Sequence, residues 1–193
     1  MGADPLKLFL NWFEAAFRAG GKEPAALALA TAAADGTPSA RMVLLKGCDE
    51  RGFVFFTNYE SRKGADLEAN PRAALVFYWP ELDRQVRVTG TAAKVSESES
   101  DEYFQSRPAG SRRAAAISAQ SETVGSRAEL EQKYAALNAK YPAGDVPRPK
   151  NWGGYRVQPD EIEFWHSREN RLHDRIRFRR RADGSWLVER LAP

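Results

Sequence analysis

Only one cysteine, Cys48, occurs in 193 residues, which excludes an internal disulfide framework. Two histidines, His166 and His173, cannot with it supply the usual Cys/His zinc set. Neither Gly-x-x-x-x-Gly-Lys-Ser/Thr nor Gly-x-Gly-x-x-Gly is present, so the P-loop and the common dinucleotide fingerprint are absent. Long apolar runs are lacking too. The most apolar charge-free stretch, Pro24 to Ala34, is far shorter than the roughly 20 residues that span a bilayer. The segment before it carries Asp4, Lys7, Glu14 and Arg18 and has no basic start, unlike a secretory leader, so a cytoplasmic location is expected. Excess charge is small as well: 29 Lys+Arg against 26 Asp+Glu leave +3, for which an anionic small molecule is partner enough and nucleic acid is not required.

What is present fits a packed protein. Hydrophobic residues make up 42%, aromatics 11% and charged residues 28%, which rules out disorder, collagen and coiled coil. A chain of this length can bury about 70% of its surface without a staple. With no internal repeat and no linker, residues 1–193 read as one domain.

Asp4-Pro5 is a helix start, and Leu6, Phe9, Leu10, Phe13 and Phe17 recur at helical spacing until Gly20-Gly21. The period then becomes that of strands: Ala25 to Ala32, Ser39 to Lys46 and Phe53 to Thr57, separated by turns at Asp35-Gly36 and Asp49 to Gly52. A helix over Ser61 to Asn70 and strands at Ala73 to Trp79 and Gln85 to Val95 follow. The middle reads as helical, with Ser98 capping a segment to Arg107, Ser111 opening another, and Ser126 with Glu129 boxing a third that ends near Tyr141. After a loop over Pro142 to Pro149, strands return at Tyr155 to Val157, Glu161 to His166, Arg175 to Arg179 and Trp186 to Leu191. Strands joined mostly by short turns do not make a βαβ alternation; a small closed or split β-barrel with flanking helices is expected.

Several cations stand against local preference. Arg62 and Lys63 occupy the first turn of a helix, where the backbone is already positive and an anion is the natural partner; reaching into water is the plain alternative. Ser111-Arg112-Arg113 repeats the arrangement. Arg41 and Lys46, five apart on a strand, face opposite ways and should touch different groups, or else are strand-end surface charges. Tyr103 and Arg107 share a helix face with Ser111 just beyond, a set able to hold a phosphate. Arg171, His173 and Arg175 alternate onto one face of an extended segment, a costly row unless it meets an anion or an electron-rich ring. A solvated basic edge running on through Arg177 and Arg179 to Arg181 is the bland alternative. Two anion sites plus Trp165 point to a phosphorylated planar cofactor beside a phosphorylated substrate. No hydrolytic constellation accompanies them, and Cys48 reads as a packing residue.

Arg41-Met42-Val43-Leu44-Leu45-Lys46, Ser61-Arg62-Lys63-Gly64, Tyr103-Phe104-Gln105-Ser106-Arg107-Pro108, Gln120-Ser121 and Arg171-Leu172-His173-Asp174-Arg175 stand in this order. The whole, from about Asp4 to the closing Arg190-Leu191-Ala192-Pro193, resembles the pyridoxamine 5′-phosphate oxidase family. The resemblance implies an FMN-dependent split barrel that is homodimeric, with the flavin at the subunit interface. It implies FMN contacts at Arg41 to Lys46, Phe56, Thr57, Arg62, Lys63, Gln85, Gln120, Ser121, Trp165 and Arg175. It further implies a substrate-phosphate pocket at Lys46, Tyr103, Arg107 and Ser111, with Arg171, Leu172 and His173 at the pyridine ring and Arg171 and His173 as the catalytic pair. The implied reaction oxidises C4′ of pyridoxamine or pyridoxine 5′-phosphate, with dioxygen as final acceptor and peroxide as by-product.

Three departures from the family pattern bear on the site. His166-Ser167 replaces a common Gln-Gly, Phe56 replaces a common tyrosine, and the short stretch before the first helix implies a short or missing substrate-covering arm. The rival readings are another split-barrel FMN oxidoreductase or flavin reductase with a different substrate, and a non-catalytic RNA-binding module.

Overall fold

The side chain of Asp4 accepts from the backbone N–H groups of Leu6 and Lys7, which starts helix α1 at Pro5–Arg18. Residues 4–193 are described in this computed structural model. Helix α1 carries Phe9 into the interior, edge-on to Phe53 at 4.8 Å and against Phe77 at 4.9 Å. Phe9, Phe53 and Phe77 are fully buried among the leucines, valines and isoleucine of the strands. Truncating Phe9 to alanine would cost about 3–5 kcal/mol by cavity formation.

The strands are β1 (Ala26–Ala32), β2 (Pro38–Leu44), β3 (Gly47–Asp49), β4 (Gly52–Asn58), β5 (Arg72–Trp79), β6 (Arg84–Lys94), β7 (Trp152–His166), β8 (Asp174–Arg180) and β9 (Trp186–Arg190). They join in the order β2-β1-β5-β6-β7-β4-β3, with β8 on β7 and β9 on β8, all antiparallel. Just past β2 the chain changes partners: Leu45 N–H donates to Ala25 O at 2.8 Å and Lys46 N–H to Val54 O at 2.8 Å. That switch brings the two ends of the strand order together, giving the split barrel with flanking helices that the pattern implies. Helix α2 (Arg62–Ala69) follows β4; α3 (Glu97–Ser106), α4 (Ala109–Ile117) and α5 (Arg127–Lys140) lie between β6 and β7. None of the described helices is long and apolar enough to cross a membrane.

Three expectations about elements need correction. The cap of α3 is Ser96, not Ser98, because Glu99 three residues later returns the bond that completes the capping box. Helix α4 opens at Ala109 directly after Pro108, so Ser111 lies within its first turn. The two strands expected around Pro159 are one strand of 15 residues, β7. A register shift beside Thr89/Gly90 absorbs Asp160 opposite β6 and lets Pro159 stay in the ladder.

Candidate active site

The end of β2, strand β4, the first turn of α2, the end of α3, helix α4 and the start of β7 enclose a cavity of about 550 Å³. Strand periodicity decides what β2 offers it. Met42, Leu44 and Lys46 share the exposed face, while Arg41 and Leu45 face inward, as the spacing of Arg41 and Lys46 predicts.

Lys63 is the most informative cation. It is buried, and its ammonium donates to three neutral oxygens: Thr57 Oγ1 at 2.9 Å, Ser61 Oγ at 2.9 Å and Gln120 Oε1 at 2.8 Å. No carboxylate meets it among the described residues. Burial, with Arg41 adding repulsion, pushes its pKa down to about 8. Ser61 caps α2 by accepting from Gly64 N–H. Gly64 is required there, since a Cβ would lie 1.9 Å from Tyr59 O. Exposed Arg62 stands at the helix start, its N–H donating to Ser121 Oγ at 3.3 Å. The 118–121 loop is pinned by Asn58 Nδ2 donating to Ser118 O at 3.0 Å, and Ser121 takes a left-handed φ of 79°. Behind this wall Arg41 donates to Thr31 Oγ1 and Ser39 Oγ, both at 2.7 Å, with Asp66 at 3.7 Å; burial lowers its pKa.

On the opposite wall Arg107 sits over Trp152, its guanidinium carbon 4.7 Å from the ring centre. Its Nη1 is buried without a hydrogen-bond partner, and burial lowers its pKa. Tyr103 stacks on Phe56 at 3.9 Å. Phe56 fits because Gly154 lacks a Cβ, which would come within 2.8 Å of the Phe56 ring. Lys46, Tyr103, Arg107 and Ser111 thus line the same cavity as Met42, Val43, Leu44, Phe56, Thr57, Lys63 and Gln120. Trp152 and Asn58 belong to this wall and were not anticipated; the adjacent pair Gly153-Gly154 marks where the Tyr59 and Phe56 rings press on the backbone of β7.

The remaining residues lie elsewhere. Gln85, Trp165 and Arg175 are in register across β6, β7 and β8 and form a transverse row. Buried Glu163 accepts from Arg175 Nε at 2.7 Å and from Arg87 Nη1 at 3.3 Å. His173 packs on Trp165, ring centres 4.7 Å apart. The expected extended alternation of Arg171 with His173 and Arg175 does not hold. Asn170 and Arg171 are left-handed, with φ of 54° and 60°, in a one-turn 3-10 helix at Glu169–Arg171. Arg171 and Leu172 are exposed. None of this second group lines the cavity. Trp152 and Trp165 sit 13 residues apart on one strand, roughly 40 Å along its contour.

Cys48, offered as packing, is half-buried against the core, and burial raises its thiol pKa to about 12.

Comparison with known proteins adds the following. Residues 13–141 match the family model described as pyridoxamine 5′-phosphate oxidase, and residues 152–193 match the pyridoxine 5′-phosphate oxidase C-terminal dimerisation region. A pyridoxine/pyridoxamine 5′-phosphate oxidase of Rubrobacter xylanophilus is 59% identical over 98% of this chain and 87% of its own. The crystal structure of PhzG from Burkholderia lata, in complex with tetrahydrophenazine-1-carboxylic acid, superposes with a TM-score of 0.95 at 35% identity, covering 100% of this chain and 94% of that one. A pyridoxamine 5′-phosphate oxidase-related, FMN-binding protein from Nostoc punctiforme shares the fold, with a TM-score of 0.80 at 17% identity and full coverage of both chains.

Proposed function

This chain belongs to the pyridoxamine 5′-phosphate oxidase family, and from that premise we propose that it oxidises pyridoxine or pyridoxamine 5′-phosphate at C4′ to pyridoxal 5′-phosphate, using FMN in a homodimer. The observation that carries this reading is a pair of cations without carboxylates, one buried and one half-buried with a buried nitrogen. Lys63 has only neutral acceptors, and Arg107 leaves Nη1 unpartnered. A buried charge of this kind is costly until an anion arrives, and a phosphate dianion is the partner each suits.

The residues present fit FMN. Lys63, with Arg41 and Arg62 at the start of α2, would hold its phosphate; Thr57, Gln120 and Ser121 would fix that wall. When bound, FMN supplies the two-electron oxidation, accepting hydride from C4′ and passing electrons to dioxygen. Lys46, Tyr103, Arg107 and Ser111 hold the substrate phosphate, and the Trp152 ring helps hold the Arg107 guanidinium in place. Anchoring the substrate by its phosphate spends binding energy on orientation, so that the carbon to be oxidised meets the cofactor in one pose.

Gln85, Trp165, Arg171, His173 and Arg175 complete the site from a second copy. In one chain none of these residues lines the cavity, and Trp152 and Trp165 stand 13 residues apart on β7, which favours their reaching the cavity of the other copy. A C-terminal segment that matches a dimerisation region supports the same arrangement.

The test is direct. Purified protein should carry a yellow flavin and elute as a dimer, and anaerobic pyridoxine 5′-phosphate should bleach it. Colour that persists would favour a split-barrel flavoenzyme of other specificity. A colourless sample after reconstitution with FMN would remove the reading altogether.

A further inference from the structure

Ring faces, and no hydrogen bond to its buried Nη1, seat Arg107 in the cavity. Its guanidinium carbon lies 4.7 Å from the centre of Trp152 and 5.8 Å from that of Phe104, and the two rings meet edge to face at 5.0 Å. Whatever fixes these rings therefore fixes the cation. Phe104 belongs to α3 and Trp152 opens β7, so the seat of Arg107 depends on how the two elements are joined.

Arg148 joins them. It stands in the loop between α5 and β7, does not line the cavity, and has a side chain only 7% exposed. Each guanidinium nitrogen has a partner: Nη1 donates to Trp152 O at 2.6 Å, Nε to Asp101 Oδ1 at 2.6 Å, and Nη2 to Glu97 Oε2. Glu97 and Asp101 are one turn apart on the same face of α3, so a single planar fork sets that helix against the first residue of β7. Pro147 and Pro149 flank the arginine, and a residue before proline is restricted to extended backbone, which narrows the directions its side chain can take. Trp152 N–H donates to Pro149 O at 3.0 Å and closes the same turn. Gly154 N–H donating to Ser100 Oγ at 3.3 Å is a second, longer tie between α3 and β7, so loss of Arg148 should loosen the junction without parting it.

We propose that Arg148 is a positioning residue for the substrate phosphate, acting by holding Trp152 and Phe104 as the seat of Arg107. This rests on the reading of the site given above. An arginine suits the task because its fork reaches three oxygen acceptors at once, where a lysine ammonium is a point charge on a flexible stem. The wall around Lys63 is built from β4, α2 and the 118–121 loop, none of which Arg148 touches, so its influence falls on the substrate and not on FMN.

Steady-state kinetics of the FMN-loaded protein with pyridoxine 5′-phosphate test this. Arg148→Met should raise KM and the inhibition constant of inorganic phosphate together, by about tenfold, with kcat within about twofold and FMN affinity unchanged. Arg148→Lys should recover part of the loss. The deciding comparison is the double variant: on an Arg107→Ala background, Arg148→Met should add less than about twofold, because the seat has lost its occupant. A merely structural role would lower Tm and leave KM as it is, or give the same change on both backgrounds, and either result overturns the proposal. Should Arg148→Met not fold, Asp101→Asn and Glu97→Gln, at the exposed end of the clamp, should each raise KM by about threefold, and an unchanged KM in both overturns it. Absence of turnover in the parent would strike the proposed function instead. Calorimetric titration of inorganic phosphate into the FMN-loaded parent and Arg148→Lys would then decide the clamp, equal affinities overturning it and weaker binding in the variant supporting it.

Discussion

The cavity and the β6–β8 row are both rich in cations, yet they hold them in opposite ways. In the cavity, Lys63 rests on a threonine, a serine and a glutamine, and Arg107 rests on a tryptophan face with one nitrogen unpartnered. Across the row, Arg175 and Arg87 share Glu163, while Arg168 and Arg190 share Asp174. Charge without a counter-ion weakens the empty protein and is stabilised by a ligand; charge already matched holds geometry. The two regions therefore answer mutation differently, and removing a cation from the cavity should harm binding while sparing the fold.

Arg107→Ala carries the largest expected effect. kcat/KM for the phosphorylated substrate should fall about a hundredfold, chiefly through KM, while the Tm of the FMN-free protein holds or rises. A large drop in Tm would erase the contrast between the regions. Lys63→Met should weaken FMN binding about 10- to 100-fold by fluorescence quenching, again without loss of apo stability.

The pH dependence sharpens the same point. Lys63 falls from an ordinary 10.5 to about 8 in the fold, so between these values the folded chain binds fewer protons than the unfolded one. Apo stability therefore rises with pH across that window. FMN affinity moves the other way, falling by up to about tenfold per pH unit above about 8 as the ammonium is lost. Lys63→Met should flatten both profiles; an unchanged slope in the variant would assign it to another group.

For the row, Glu163→Ala should lower stability by about 1–2 kcal/mol in denaturant titration, because it strands Arg175 and Arg87. FMN binding should suffer only through Arg175. The smallest effect belongs to Cys48→Ala: less than about 1.5 kcal/mol and no change in turnover, since the thiol only packs.

Much of this was legible in the chain. Asp4-Pro5, the alternation of β2 and the misplaced Arg62 and Lys63 each carry a local physical signal, and each lies where that signal puts it. The reading failed where distant contacts override local ones. Pro159 looked like a strand break until Gly90 opposite it made room for a bulge. Arg171 looked extended because alternation cannot report a left-handed turn imposed by its neighbours. Trp152 escaped notice because its role depends on α3 and Arg107, far away in sequence.

Strand β7 also sets the order of assembly. β4 joins only β3 and β7, and β6 joins β5 and β7, so the β3–β4 hairpin has no lateral bond to the β1-β2-β5-β6 sheet beyond the crossing near Lys46 until residues 152–166 arrive. During synthesis two unmatched strand edges wait through some sixty residues of helix and loop, a long-range closure that makes for slow refolding and exposure to aggregation.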